Sequence, residues 1–308
     1  MQNSFLNPLI IAWFINSIIK FSTPLVLAAL GGMFSERSGV VNIGLEGMML
    51  MGAFTAVAVT WFTNNPWFGL LGAILSGALL GLIHGIICVR LKGNQIVSGA
   101  GIILFATGLT TFGLFAVWGV HGVSPNVPRL PGLSLPWFGY IGPIMIFMFL
   151  MLPISHYIIY RSSFGLRLRA SGEDPSTLDT AGVNVESTRM IGVAISGILA
   201  AVGGAQLSIG TLGRFVEVMT GGRGFIALAA LIFGNWTPIG VFLSGMFFGF
   251  LNAVEAGILI LPEFQFLSQY VQFIQMIPYI SVIVALGIIR RSIPPKGIGV
   301  PYIKEKGV

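Results

Sequence analysis

Ten carboxylates and sixteen basic residues are spread over 308 positions, so an ionisable group inside an apolar stretch stands out. The sharpest case is Glu46. It follows Asn42 by four positions in GVVNIGLEGMML, sits between Gly44 and Gly47, and opens onto an apolar run. On a helix, residues four apart share a face, so Asn42 and Glu46 would present an amide and a carboxylate together. Such a pair can carry a proton, line a polar passage, or be satisfied by backbone groups freed where glycines break the helix. In the last case an amide at position 46 would keep most of the bonding. The remaining chemistry-bearing residues do not converge on a catalyst. His84, His121 and His156 lie in separate segments without an HExxH pair, no GxxxxGK[ST] phosphate loop occurs, and no serine sits in a GxSxG elbow. The chain reads as a non-enzyme with no metal or cofactor of its own. Cys88 is the single cysteine, which excludes an internal disulfide framework or thiolate cluster.

The elements that must position Glu46 belong in a bilayer. Hydrophobic residues make up 55% of the chain and charged residues 8%, with a mean hydropathy of +0.91. A soluble domain carries roughly 25% charged residues, so this chain cannot cover a water-facing surface. A spanning helix needs about 20 mostly apolar residues. The clearest candidates are Trp67–Val89, Ile96–Trp118, Tyr140–Tyr160, Met190–Ile209, Pro238–Leu259 and Leu267–Ile289. Val40–Phe62 adds a span that carries Glu46, and Pro8–Met33 adds a first span interrupted by Lys20 and Pro24. Phe225–Gly234 is apolar but too short, so it either extends backward across the glycines or is a half-helix. Eight or nine crossings result, all helical, because β-barrel alternation is absent. Residues 1–308 read as one transmembrane domain. The start, MQNSFLNPLI, lacks a basic region and a small-residue cleavage site, so no signal peptide is expected.

Charge sets the orientation. Arg37, Arg90, Lys92, Arg161, Arg167, Arg169, Arg189, Arg290, Arg291, Lys296, Lys304 and Lys306 fall on one side, and only Arg129, Arg214 and Arg223 opposite. The crowded side is expected to be cytoplasmic, which puts the C-terminus inside. Trp67, Trp118 and Trp137 then mark outer interfaces. The net charge of +6 suits anionic lipid and does not point to nucleic acid. The inner loop, residues 161–189, contains a short helix signal: Asp174 as cap, Pro175 at the first position, and Gly182 as a stop after Ala181. A helix of about two turns is marginal in water, so it is expected to rest on headgroups or on a partner. The outer loop, about His121–Leu135, is rich in proline and glycine.

Four blocks in this order carry a family resemblance: SERSGVVNIGLEGMMLMGAF from Ser35, NQIVSG from Asn94, FGLRLRASGEDPSTLDTAGV from Phe164 and GGRGFIALAALIFGNWTPIG from Gly221. The chain resembles permease subunits of prokaryotic ABC importers, in the branch that includes branched-chain amino acid, ribose-type sugar and nucleoside permeases. The segment ERSGVVNIGLEG is most similar to the shorter of two permeases in nucleoside systems. The resemblance implies an all-α membrane protein of about 8–10 transmembrane helices, with two inverted repeats and broken helices near the path, in the cytoplasmic membrane. It implies a second, longer permease subunit, an ABC ATPase that carries the ATP and Mg, and an extracytoplasmic binding protein. Nucleosides are the expected cargo, with sugars or branched-chain amino acids as alternatives. An ion-coupled secondary transporter is a further rival, with no use for the capped inner helix.

On that scheme the inner helix resembles a coupling helix, with Leu178 as apolar anchor, Glu173, Asp174 and Asp179 as polar contacts, and Pro175 and Gly182 as its bounds. Candidate path residues are Asn42, Glu46, Asn94, Gln95, Gln206 and Phe225. Asn94 also reads as an N-cap, and Gln206 as glue within the small-residue segment AAVGGAQLS. Arg214, Glu217 and Arg223, at the outer end, are candidates for docking the binding protein or form a solvated rim. The glycine-rich stretches Gly39–Gly52 and Gly221–Gly234, on opposite sides by this topology, would flank the path.

Overall fold

A computed structural model describes residues 8–136, 138–260, 266, 269–288 and 292–303. Trp137, Arg290, Arg291, Lys304 and Lys306, and the ends of the expected span Leu267–Ile289, lie outside the described residues. The architecture is all-α: helices α1 (Pro8–Arg37), α2 (Leu45–Thr63), α3 (Pro66–Gly85), α4 (Gln95–Trp118), α5 (Pro143–Arg161), α6 (Ser163–Glu173), α7 (Pro175–Thr180), α8 (Val185–Leu207), α9 (Arg223–Phe233), α10 (Pro238–Ile260), α11 (Val271–Gln275) and α12 (Ile277–Ile288). A small antiparallel hairpin, β1 (Leu133–Leu135) with β2 (Gly139–Ile141), precedes α5. Among the described residues seven helices are long and apolar enough to cross a membrane, with α9 as a shorter apolar helix.

Several boundaries differ from the sequence expectation: α8 starts at Val185 and not at Met190, the described part of the expected span Leu267–Ile289 divides into α11 and α12, and three further cases have a local cause. First, α1 is not interrupted: it runs through Lys20 and Pro24 for 30 residues. A proline inside a helix removes one backbone donor; here the Thr23 hydroxyl donates to the Ile19 carbonyl at 2.7 Å, supplying a side-chain donor beside the gap. Second, the Glu46 helix starts at Leu45 and not at Val40, because Val40–Gly44 is unwound. Third, α5 starts at Pro143. Tyr140 belongs to the hairpin, where its hydroxyl donates to the Leu130 carbonyl. The short turn between α2 and α3 follows from NNPW. Asn64 takes the left-handed conformation, Asn65 accepts from Trp67 N at 2.9 Å, and Pro66 fills the first helical position.

Helices α1, α2 and α8 form the buried centre, and α3, α4 and α10 pack around them. Without water, helices attract by close packing, which small residues permit. Gly204 of α8 lies against the Met49 backbone of α2, and Gly77 of α3 lies against Gly197 of α8, so that a Cβ at either site would strike a carbonyl. Met48, Met49 and Met51 are all buried in this packing. The chain has two distinct ends. At one, α6, α7 and segment 292–303 gather beneath the α1–α2 connection: Gly297 N donates to Gly172 O at 2.7 Å and Gly299 N to Gly39 O at 3.1 Å. At the other, loop 121–130 lies along residues 209–216, through Ser124 N to Phe215 O at 2.9 Å, Val127 N to Gly213 O at 2.7 Å and Leu130 N to Ile209 O at 3.1 Å.

Gly204→Val should therefore lower stability by about 1–3 kcal/mol or more. Gly108→Ala, at a glycine whose Cβ would meet open space, should be neutral or stabilising. Thermal unfolding in detergent separates the two, and equal melting temperatures would contradict the packing argument.

Candidate functional site

The unwound segment ahead of α2 exposes backbone groups that must be satisfied, since a bilayer offers no water. Side chains do most of this. The Ser35 hydroxyl donates to Val40 O at 2.7 Å, and the Gln95 Oε1 accepts from Val41 N at 2.7 Å. His84 Nε2 lies 2.9 Å from Val41 O and its Nδ1 lies 2.9 Å from the Ser98 hydroxyl. A carbonyl can only accept, so Nε2 carries the proton and Nδ1 accepts from Ser98. His84 thus joins α3 and α4 to the break. Asn42 lies in the break itself and is not on the helix with Glu46. It donates to the Ser196 hydroxyl of α8 at 2.9 Å, and its Oδ1 has no partner. The shared face expected for Asn42 and Glu46 therefore does not form, because the helix between them has not begun.

Glu46, 6% exposed, reaches across the chain. Its Oε1 accepts from Gly222 N at 2.8 Å and its Oε2 from Gly224 N at 2.5 Å. These N–H groups open α9. The first turn of any helix has unpaired N–H groups and partial positive charge, and a carboxylate answers both. The donors are therefore not the backbone around Gly44 and Gly47, as the local reading supposed. Those glycines instead let α4 approach, against Gly99 and Ile102. Gly224 is itself required: a Cβ there would strike the Glu46 backbone.

The other end of α9 is held as well. The Trp236 indole donates to Glu36 Oε2 at 2.6 Å, and Arg37 Nε donates to the Trp236 carbonyl at 2.8 Å. The half-helix is thus clamped between the end of α1 and the start of α2. Sequence reasoning missed Glu36, Arg37, Trp236 and the backbone role of His84. The available signals were an acidic–basic pair directly before a glycine break and a tryptophan in FGNWTP with no interface to mark.

The other candidates are scattered. Asn94 is exposed and caps α4, accepting from Ile96 N at 3.0 Å and Val97 N at 3.1 Å. Gln95 is buried with Nε2 unpartnered. Gln206 is buried where α8 passes into a π-helical turn over Ser208–Leu212, with Oε1 unpartnered. Phe225 is 49% exposed on α9. Glu217 accepts from the Thr111 hydroxyl at 2.8 Å, which ties its loop to α4. Arg223 donates to Met219 O at 3.0 Å and Thr220 O at 3.1 Å, while Arg214 is exposed.

The inner loop forms α6, which the sequence reading did not separate, and then α7. Asp174 caps α7: its carboxylate accepts from the Ser176 hydroxyl at 2.5 Å, the Thr177 hydroxyl at 2.6 Å, Ser176 N at 3.1 Å and Thr177 N at 3.2 Å. The Ser176 and Thr177 hydroxyls hold its pKa down to about 2. A depressed carboxylate pKa gives stability that is present above the ordinary value of about 3.9 and lost as pH falls through about 2. The cap is therefore intact at neutral pH. Gly182 has φ +79° and closes the turn after Ala181. Leu178 does not point outward as an anchor for a partner. It is 6% exposed and packs α7 onto its own chain, because a six-residue helix needs an internal hydrophobic contact to form. Glu173 accepts from Lys296 N at 3.3 Å and Asp179 from the Tyr302 hydroxyl at 3.1 Å, so both are tied to segment 292–303.

Residues 14–288 match the family described as branched-chain amino acid transport system / permease component. The chain belongs to this permease family. It is 39% identical to the guanosine ABC transporter permease protein NupQ of Bacillus subtilis, over 96% of this chain and 98% of the relative. It is 37% identical to the nucleoside ABC transporter permease protein NupC of Lactococcus lactis, over 94% and 96%. It is 36% identical to the putative glucose ABC transporter permease protein TsgC13 of Haloferax volcanii, over 79% and 77%. In the first two organisms a second permease bearing the same system name is also similar, at 28% and 22% identity, so these relatives occur as pairs. No solved structure matches the chain significantly. The protein is thus a multi-pass membrane permease of the ABC type, and not an enzyme.

For this permease, the Glu46 clamp gives a sharp mutational ordering. An amide side chain has one acceptor oxygen and one donor nitrogen, whereas Gly222 N and Gly224 N each need an acceptor. Glu46→Gln therefore keeps one bond, turns an NH2 against the second N–H and loses the charge at the helix start. The tolerance expected from a local reading does not survive this geometry. Glu46→Leu orphans both donors, at roughly 1–3 kcal/mol each. Melting temperature and uptake should fall in the order wild type, Gln, Leu; a glutamine variant equal to wild type would contradict the two-oxygen clamp.

Proposed function

We propose that this chain is one of two permease subunits of an ATP-driven importer of nucleosides in a prokaryotic cytoplasmic membrane. The similarity to the guanosine and nucleoside permeases along almost the whole of both chains carries this reading. The partner subunit is a longer paralogue of the same family, as the paired relatives suggest. ATP and Mg act on a separate ABC ATPase, and an extracytoplasmic binding protein delivers the solute. The end bearing α6, α7 and segment 292–303 is cytoplasmic, by the distribution of basic residues, and the C-terminus lies inside. Arg214 and loop 121–130 then face the binding protein.

The path runs between permease subunits and beside the break at Val40–Gly44, where Asn42 and Gln206 keep unpartnered carbonyls in buried positions. Unpaired buried acceptors are costly, and a polar solute in transit would relieve them. Sugars are the second reading, favoured by the similarity to the putative glucose permease. Uptake by the complete reconstituted system, with nucleosides and sugars in competition, tests both. Nucleoside uptake that needs ATP and ignores an imposed proton gradient supports the proposal. Uptake driven by the gradient without ATP overturns it.

The coupling role of α7 has its own test. Asp174→Ala removes all four capping bonds. Uptake should fall several-fold, while ATP hydrolysis by the assembled complex persists, because the transmitting helix is lost and the motor is intact. Asp174→Asn keeps one acceptor and should fall between the two. Transport should also show no pH dependence from Asp174 between pH 5 and 8, since its pKa lies near 2. Unchanged uptake in Asp174→Ala would remove α7 from the coupling scheme.

A further inference from the structure

A second carboxylate lies inside an apolar span. Glu255 sits on α10 in FLNAVEAGI, half-buried. It makes no hydrogen bond among the described residues. An ionisable group within a membrane span marks a functional site by default. Asn252 lies three positions earlier, on the same face. With Arg223, Ile226, Gln275 and Tyr279 they line a cleft of about 220 Å³ between α9, α10 and α11–α12.

The polar groups of this cleft are held in place and sorted by sign. Arg223 is fixed by Nη1 on the Met219 and Thr220 carbonyls, which leaves its other guanidinium N–H groups for a ligand. The Tyr279 hydroxyl donates to Gly221 O at 2.7 Å, so its ring is anchored at the start of α9. Asn252 spends one N–H on Phe248 O at 2.8 Å and keeps its carbonyl free. Glu255 and Arg223 line the same cleft from α10 and α9 and make no direct ion pair. The α10 wall therefore presents acceptors and the α9 wall presents donors.

We propose that this cleft recognises a guanine-type base in transit, with Glu255 as the specificity-determining residue; the inference rests on the nucleoside reading above. Guanine carries two parallel donors, N1–H and the N2 amine, on one edge, and two acceptors, O6 and N7, on the next. A carboxylate accepts from the first edge, and an arginine donates in bidentate fashion to the second. Adenine has the opposite polarity at both positions: its N6 amine would face Arg223, and its N1 lone pair would face Glu255. A site built to pair hydrogen-bonding groups rejects a ligand that leaves them unpaired far more strongly than an apolar pocket rejects a misfit. The cleft is smaller than the 300–1,000 Å³ usual for sites that enclose a drug-sized ligand. It fits the base alone, with the ribose outside.

The test uses the complete complex in proteoliposomes, with the same binding protein for every permease variant, and measures ATP-driven uptake of guanosine, inosine and adenosine. Inosine has O6, N7 and N1–H but lacks the N2 amine. In Glu255→Gln the amide oxygen accepts one N–H and its NH2 opposes the other, so the guanosine-to-inosine uptake ratio should fall about tenfold. Arg223→Gln should lower both rates and leave their ratio unchanged. If Glu255→Gln does not assemble, Glu255→Asp, which keeps the charge on a shorter arm, should lower guanosine uptake and retain the preference over adenosine. Wild-type nucleoside uptake with a ratio that Glu255→Gln leaves unchanged, or with an Asp variant that loses the preference, overturns this proposal alone. Absence of ATP-driven nucleoside uptake by the wild type overturns the parent reading and this one together.

Discussion

The two backbone N–H groups that open α9 and the two oxygens of Glu46 form the contact on which the rest of the centre depends. A helix of eleven residues cannot cross a bilayer, so at least one of its ends lies where water cannot solvate it. At its start the N–H groups of Arg223 and Phe225 reach the Thr220 and Gly222 carbonyls, both at 3.0 Å, while those of Gly222 and Gly224 have no backbone partner among the described residues. Glu46 takes these two and places a negative charge at the positive end of the dipole. Hydrogen bonds to a charged group contribute about 1.5–3 kcal/mol each. That is comparable to the insertion penalty of about 3 kcal/mol for a carboxylate at membrane depth. The carboxylate and the half-helix are thus each tolerable only because of the other.

The same logic explains why the break ahead of α2 must exist. Glu46 lies in the first turn of α2, and an unbroken helix through Val40–Gly44 would carry its Cα along a different axis. Unwinding frees the Val41 amide and carbonyl, and Gln95 and His84 take them up. Those two side chains come from α4 and α3, so the break is braced from outside the segment that contains it. At the far end of α9, Trp236 binds the carboxylate of Glu36 while its carbonyl receives Arg37. The short helix is therefore a strut between two points of the α1–α2 connection. Any displacement of α1 relative to α2 must load or release it.

The sequence made some of this legible and hid the rest for definable reasons. Apolar runs revealed most spans, because a bilayer demands length and hydropathy and little else. The Asp174–Pro175 cap was legible because capping is local, with acceptor and donors two and three residues apart. The Glu46 partners were not, since they lie 176 and 178 residues away and are glycine amides without a chemical signature. Asn42 was misassigned because a four-residue spacing implies a shared face only when the helix is continuous. Leu178 was misread because a lone apolar residue on a polar loop looks the same whether it points outward or inward. Glu255 meets the same criterion as Glu46, a carboxylate inside an apolar run, but in FLNAVEAGI no glycine-rich break precedes it to mark a special backbone.

The path from the inner loop to the strut is continuous in the structure. Arg189, only 2% exposed, lies in the second turn of α8 and donates to the Val300 carbonyl at 2.9 Å and to the Ser171 carbonyl at 3.1 Å. The Ser171 hydroxyl in turn donates to Ser38 O at 3.1 Å, one residue from Arg37. A buried guanidinium satisfied wholly by carbonyls and a hydroxyl has fixed geometry, since each bond fills a direction of its planar fork. Segment 292–303 completes the bracket by pairing with Gly172, Gly39 and Asp179. The inner loop is thereby joined to the end of α1 twice, through α6 by the Ser171–Ser38 hydrogen bond and through segment 292–303, which binds Asp179 and Gly39. That end is where Glu36 and Arg37 hold the base of α9. Packed interiors shift between discrete arrangements more readily than they deform, and on the coupling scheme proposed above the strut is the element that such a shift would move. Its far end is the N-terminus that Glu46 grips, beside the cleft of Arg223 and Glu255.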